Sequence, residues 1–147
     1  MHNEYFLELE NASAGHILPL DELLEQLVFN RDGLIPVITQ CADTYQVLMQ
    51  AWMNAESLRI TLATGQVTYW SRSRNQLWEK GLTSGHTQEL LELRTDCDGD
   101  SLLCLVRQNG PACHTGRSGC FYFSVKPQSD QATVLESRPD YRLLFTR

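Results

Sequence analysis

The chain predicts an α+β fold: a strand-rich mixed sheet curling towards a pseudo-barrel core, with two short helices. Three observations carry that expectation. Short β-branched and aromatic runs recur between turn residues, as in LIPVITQ, VLMQAWM and QVTYWSRS. Only two stretches place apolar residues at helical spacing. No internal repeat, low-complexity tract or interdomain linker interrupts the chain, so residues 1–147 read as one domain.

Taken in order, LDELLEQLVF (20–29) predicts a helix, with acids in its first turn. LIPVITQ (34–40) and VLMQAWM (47–53) predict two strands across a polar turn. Asn54 then caps a second helix over AESLRITLAT, with Glu56 at its positive end and Gly65 as its stop. QVTYWSRS (66–73) alternates as a strand does, and NQLWEKG (75–81) continues or pairs with it. QELLELRT and SLLCLVRQ predict a hairpin joined by an acidic turn. CFYFSV (120–125) reads as a last core strand because of its aromatics. The final 20 or so residues mix charged and apolar positions and receive no assignment.

Composition bounds the function. At 42% apolar and 20% charged, the chain has enough apolar material for a folded core and is unlike a disordered segment. No apolar run approaches the roughly 18 residues of a membrane span, and the start lacks the pattern of a signal peptide. The expectation is a cytoplasmic protein with no membrane partner. A net charge of −6 argues against a nucleic-acid partner, while a local arginine cluster still admits a small anion. Five cysteines without an export signal point to metal binding or catalysis rather than disulfides. Cys104, inside LLCLV, and Cys41, after PVITQ, read as small core residues.

Two segments carry chemistry. In TDCDGD, an extended backbone puts Asp96, Asp98 and Asp100 on one side and Cys97 on the other, and Gly99 allows the carboxylates to converge. Oxygen ligands suit Mg²⁺ or Ca²⁺, and a thiolate suits zinc. An EF-hand does not fit, because Ser101 stands where that loop needs glycine and Arg107 where it needs glutamate. A solvated acidic turn is the plain alternative. The glycine-rich loop GPACHTGRSGC adds Cys113 and Cys120. With Cys97 they make three sulfur ligands and leave a fourth position open, as in catalytic zinc sites. His114 beside a ligand is the leading proton acceptor, and His86 is second.

TYWSRSRNQLWEKG interleaves aromatics, hydroxyls and cations. Arg72 and Arg74 on one strand face, Ser71 and Ser73 on the other, and Lys80 beyond are candidates for gripping phosphate. Trp70 or Trp78 is a candidate for stacking on a base, and Arg117 adds a cation beside the cysteines. A solvated basic strand and core tryptophans explain the same residues equally well.

The stretches VLMQAWMNAESL, TGQVTYWSRSRNQLWEKGLTSGH, TDCDGD and GPACHTGRSGCFYF together resemble the phosphoribosyl-AMP cyclohydrolases of histidine biosynthesis. The match runs from about residue 34 to 124. It implies that water adds at C6 of the adenine in N1-(5-phosphoribosyl)-AMP and that the N1–C6 bond then breaks. It further implies zinc on Cys97, Cys113 and Cys120, with Cys97 reaching the partner's site in a homodimer, and Mg²⁺ on Asp96, Asp98 and Asp100. The substrate is then a phosphorylated purine nucleotide, and the chain looks monofunctional. It departs from the family at CADTYQ, which lacks the usual threonine–glycine pair. It departs also at Ser118-Gly119, where relatives carry a bulkier residue before a serine; a more mobile loop is expected there. Two other classes fit the residues: a non-catalytic dimer stapled by metal, and a nucleotide deaminase.

Overall fold

The alternating apolar residues of four strands meet on one face, and that face is the core. In the computed structural model, which describes residues 3–140, β1 (Ile35–Cys41) and β2 (Val47–Met53) form an antiparallel pair. β1 also runs parallel to β6 (Leu102–Gln108), which pairs antiparallel with β5 (Gln88–Thr95). The sheet order is β2-β1-β6-β5, so the sheet is mixed, as expected. Ile35, Val37, Leu102, Cys104 and Val106 point inward and are essentially inaccessible, and Cys41 is half-buried at the strand end.

The helix α3 (Ala55–Thr64) follows β2 directly. Asn54 and Ser57 cap it reciprocally, each side chain bonding the other's backbone N–H, at 2.8 and 2.9 Å. Gly65 ends it in the left-handed conformation, φ 74°. Thr61 ties the helix to the next strand, its hydroxyl accepting from the Thr68 N–H at 2.9 Å. β3 (Thr68–Ser71) and β4 (Gln76–Glu79) pair as a separate hairpin. A single bridge between Gln66 and Glu89 docks it beside β5. The core is therefore built from a four-stranded mixed sheet with a docked hairpin, the strand-rich α+β arrangement expected.

Several elements differ from the sequence expectation. The first predicted helix ends at Gln26 as α2 (Leu20–Gln26), because Leu27 turns extended and the Val28 N–H is taken by the Gly99 carbonyl at 2.8 Å. A further helix, α1 (Glu4–Glu8), precedes it, capped by Asn3, and buries Phe6. CFYFSV does not form a core strand. Only Phe123–Val125 is extended (β7), paired with β8 (Ala132–Val134) in an outlying hairpin where Phe123 is 70% exposed. In the β1–β2 turn, Tyr45 occupies a left-handed position, φ 63°, which glycine would fill without strain.

One buried polar chain joins these parts. The Tyr69 hydroxyl, fully buried, donates to Gln88 Oε1 at 2.6 Å, so the Thr39 hydroxyl, 2.6 Å away, must donate to Tyr69. Gln88 in turn donates to Gln108 at 2.8 Å. Thr39, Tyr69, Gln88 and Gln108 belong to β1, β3, β5 and β6. Tyr69→Phe leaves the Gln88 acceptor and the Thr39 donor unpaired in the core. It should lower stability by about 1–3 kcal/mol at unchanged m-value in urea unfolding; an unchanged midpoint would show that the network contributes nothing.

Candidate active site

The β3–β4 hairpin and the loop after β6 face each other across an open cleft of about 490 Å³. The hairpin side contributes Arg74, Trp78 and Lys80, and the chain beyond it contributes His86. The loop side contributes Pro111, Cys113, His114 and Gly116. Close packing sets this geometry. Gly81 has φ 82°, and a Cβ there would strike the His86 backbone; a Cβ at Gly110 would meet the His86 ring at 2.6 Å. Both glycines are therefore required where His86 crosses between hairpin and loop.

The two loop cysteines come together. Their thiols are near enough to influence each other's ionisation, although six residues separate them in sequence. Burial opposes ionisation of Cys113, but bonds from Thr115 and Cys120 and the Arg117 charge hold its thiol below the ordinary range. Thr115 Oγ1 donates to the Cys113 sulfur at 3.1 Å. Cys120 is pushed up to about 11 by desolvation and by Cys113, with Lys80 pulling the other way. Cys113 is thus the readier thiolate, and a metal that binds both must displace the Cys120 proton. Paired soft sulfurs are a zinc-type donor set.

Cys97 does not join them within the chain. It lies at the surface beside α1, in a small hollow with Asn3, Phe6, Leu7, Glu10 and Asp98, and none of these residues lines the cleft. Among the described residues, one set of three or more potential ligands brings its donor atoms within 4.8 Å of one another: Asp96, Asp98 and Asp100. Convergence is achieved by a turn rather than by an extended strand. Asp96 closes that turn, accepting from the N–H groups of Asp100 and Ser101 at 3.0 and 3.2 Å. Gly99, φ 74°, leaves no room for a Cβ against the Phe6 ring. The N-terminal helix, which carried no sequence signal for a site, thus supports the acidic turn. Hard oxygens this close suit Mg²⁺ or Ca²⁺.

The remaining candidates separate. Arg72 to Asn75 form the β3–β4 turn, not a strand face. Arg74 lines the cleft, while the Arg72 guanidinium stacks 4.7 Å from the Trp52 ring centre. Ser71 and Ser73 sit at the turn with their hydroxyls 3.4 Å apart. Trp78 packs on Tyr69, centroids 5.4 Å apart, and still borders the cleft. Lys80 is only 9% exposed; its ammonium donates to the Ala112 carbonyl at 2.6 Å. Burial pulls its pKa down, and Cys120 and Cys113 pull it back up. Arg117 lies over Tyr122 at 4.1 Å and donates to the Glu136 carbonyl at 2.7 Å.

Glu136 had no sequence signal. Its carboxylate accepts from the Ser118 N–H at 2.8 Å and from the Ser118 hydroxyl at 2.5 Å. Gln46 donates to the same hydroxyl at 2.9 Å, and the Cys120 N–H donates to the Leu48 carbonyl at 2.6 Å. Ser118-Gly119 is therefore held from two sides, against the expectation of a looser loop.

A cleft that unites two histidines, a low-pKa thiol and a cation is the equipment of an enzyme, and the chemistry it fits is hydrolysis. Residues 49–122 match the sequence model of the family described as phosphoribosyl-AMP cyclohydrolase. The phosphoribosyl-AMP cyclohydrolase of Roseobacter denitrificans is 63% identical over 107 residues, covering 73% of this chain and 84% of that protein. Phosphoribosyl-AMP cyclohydrolase 2 of Pseudomonas fluorescens is 55% identical over 133 residues, covering 90% and 88%. The chain belongs to the phosphoribosyl-AMP cyclohydrolase family and is a hydrolase. Among the described residues no helix is long and apolar enough to cross a membrane.

The acidic turn has a pH signature. Hydrogen bonds from Asp100 to Asp96 and Asp98 raise the Asp100 pKa to about 6, above the roughly 3.9 of an unfolded aspartate. The fold then binds this proton more tightly than the unfolded chain does. The contribution is present in full below pH ~4 and is lost as pH rises to ~6. In chelator-treated protein, the urea midpoint should fall across that window, and Asp100→Asn should flatten the fall. An identical slope in the variant would assign the titration to another group.

Proposed function

We propose that this chain opens the adenine ring of N1-(5-phosphoribosyl)-AMP, the third step of histidine biosynthesis, as a zinc- and magnesium-dependent cytoplasmic homodimer. The observation that carries the reading is the shared cleft of Cys113, His114, His86 and Arg74 in a chain of this family. One water is consumed: its oxygen bonds to C6, the N1–C6 bond breaks, and N1 takes up a proton while staying bonded to C2 and to its phosphoribosyl group. C6 becomes a carboxamide, and no ammonia is released.

Cys113 and Cys120, with Cys97 of the partner subunit, would hold zinc, which supplies the Lewis acidity that makes water nucleophilic at neutral pH. Asp96, Asp98 and Asp100 would hold magnesium. His114 borders the cleft beside Cys113 and is placed to take the water proton; His86, held between Gly81 and Gly110, faces the same space and is placed to return a proton to N1. Arg74 rather than Arg72 is placed for a substrate phosphate, since Arg72 is engaged on Trp52. Trp78, partly buried at the cleft, is the candidate to stack on the base.

Two observations support the dimer. Cys97 lies apart from the cysteine pair within one chain. The segment after the cysteine loop also exposes Phe121, Phe123, Val125, Val134 and Leu135, each more than half accessible, which is unusual for a free surface.

The decisive assay follows the ultraviolet spectrum and ammonia with the authentic substrate. Ring opening changes the spectrum without ammonia. Ammonia release would establish a deaminase, and no turnover in zinc-loaded protein a metal-stapled module. His114→Ala should retain zinc and fold but lose about 10²–10⁴ in kcat; a kcat within threefold of the parent removes it from proton transfer. Cys97→Ser and Cys113→Ser should each be inactive alone. Mixed and reassociated, they should recover about a quarter of parental activity, because half the dimers then carry one intact site. No recovery, with heterodimers shown to form, rules out a site shared between subunits.

A further inference from the structure

Lys80 is aimed inward by its backbone. Its N–H donates to the Val67 carbonyl at 3.0 Å, locking the residue to the start of β3, and Gly81 then turns the chain away. At 9% exposure it is a lysine of a kind rarely found buried without a partner for its charge. Its ammonium carries three donors and no acceptor. One donor is spent on Ala112, the residue before Cys113, and the Trp78 ring lies 5.4 Å away. Among the described residues, the ion pairs to carboxylates are made by Arg59, Arg94 and Arg107, not by Lys80. The Ala112 bond seats the ammonium beside the cysteine loop, where Cys120 and Cys113 favour its charged form.

We propose that Lys80 is a positioning residue for the cysteine pair: it pins the loop at Ala112 and neutralises the thiolates, rather than gripping a substrate phosphate. This rests on the zinc reading above. Two thiolates held together, Cys113 buried and Cys120 at the surface, would repel each other, and a fixed ammonium beside them would offset that repulsion. A lysine free to grip a phosphate would need its head unengaged, whereas here, at the edge of the cleft, the head is tied to the Ala112 carbonyl.

The test is zinc affinity, read by competition with a chromophoric chelator at one pH and ionic strength, together with steady-state kinetics. Lys80→Gln keeps a donor for Ala112 and removes the charge; Lys80→Met removes both; Lys80→Arg keeps the charge. Affinity should fall about 10- to 100-fold in the Gln and Met variants and recover at least in part in the Arg variant. Should Met prevent folding, the Gln–Arg comparison decides alone. Parental zinc affinity in Lys80→Gln, with KM raised and kcat kept, would overturn the proposal in favour of a phosphate contact. A parent protein that binds no zinc would instead sink the metal reading itself.

Discussion

The Tyr69 phenol is the contact on which the site depends. The β3–β4 hairpin shares no continuous ladder with the main sheet, so its place is set by side chains and one bridge. Tyr69 anchors it from within, bonded on one side to Thr39 and on the other to Gln88. Burial and the low local polarity push its pKa far up, so the group stays a neutral donor at any working pH. Trp78 leans on the same ring, and Lys80 follows two residues later. One buried hydroxyl therefore fixes the hairpin wall of the cleft.

The opposite wall obeys a different constraint. The loop from Pro111 to Cys120 has no regular structure of its own, and its shape is imposed by neighbours. Lys80 holds its start, Gln46 and Leu48 hold its end, and Glu136 holds Ser118 from the C-terminal side. Such a loop keeps two sulfurs at a fixed spacing without a short sequence motif. A zinc finger places its cysteines by local turns; here the tertiary structure sets the spacing of the pair.

That difference explains what was legible in the sequence. The strands, α3 with its Asn54 cap and Gly65 stop, and the β5–β6 hairpin rest on local periodicity and caps, and local signals report them faithfully. The aspartate convergence was legible too, because three acids around one glycine sit within one turn. α1 was not, since it exists to place Phe6 on Gly99, a contact nearly a hundred residues away in sequence. CFYFSV misled because aromatic content signals burial only when a core is available, and β7 finds none among the described residues. The Arg72–Arg74 pair misled because a four-residue turn replaced an assumed strand. Lys80 and Glu136 could not be placed by any local rule.

The separation of sulfur from sulfur has a physical logic of its own. Cys97 rides on the acidic turn, between Asp96 and Asp98 in sequence. The turn points its carboxylates together, and the cysteine is left facing the surface beside α1. Carboxylates and thiolates that served one cation set within a single chain would compete for it, hard ligands against soft. In the proposed dimer, presenting the sulfur to a second copy would let each cation keep one class of ligand. It would also make assembly and metal loading mutually dependent, since ligand affinity would contribute directly to association. On that argument, chelation should loosen the dimer as well as silence it. The exposed aromatics after Cys120 are the surface on which the loosened dimer would show first.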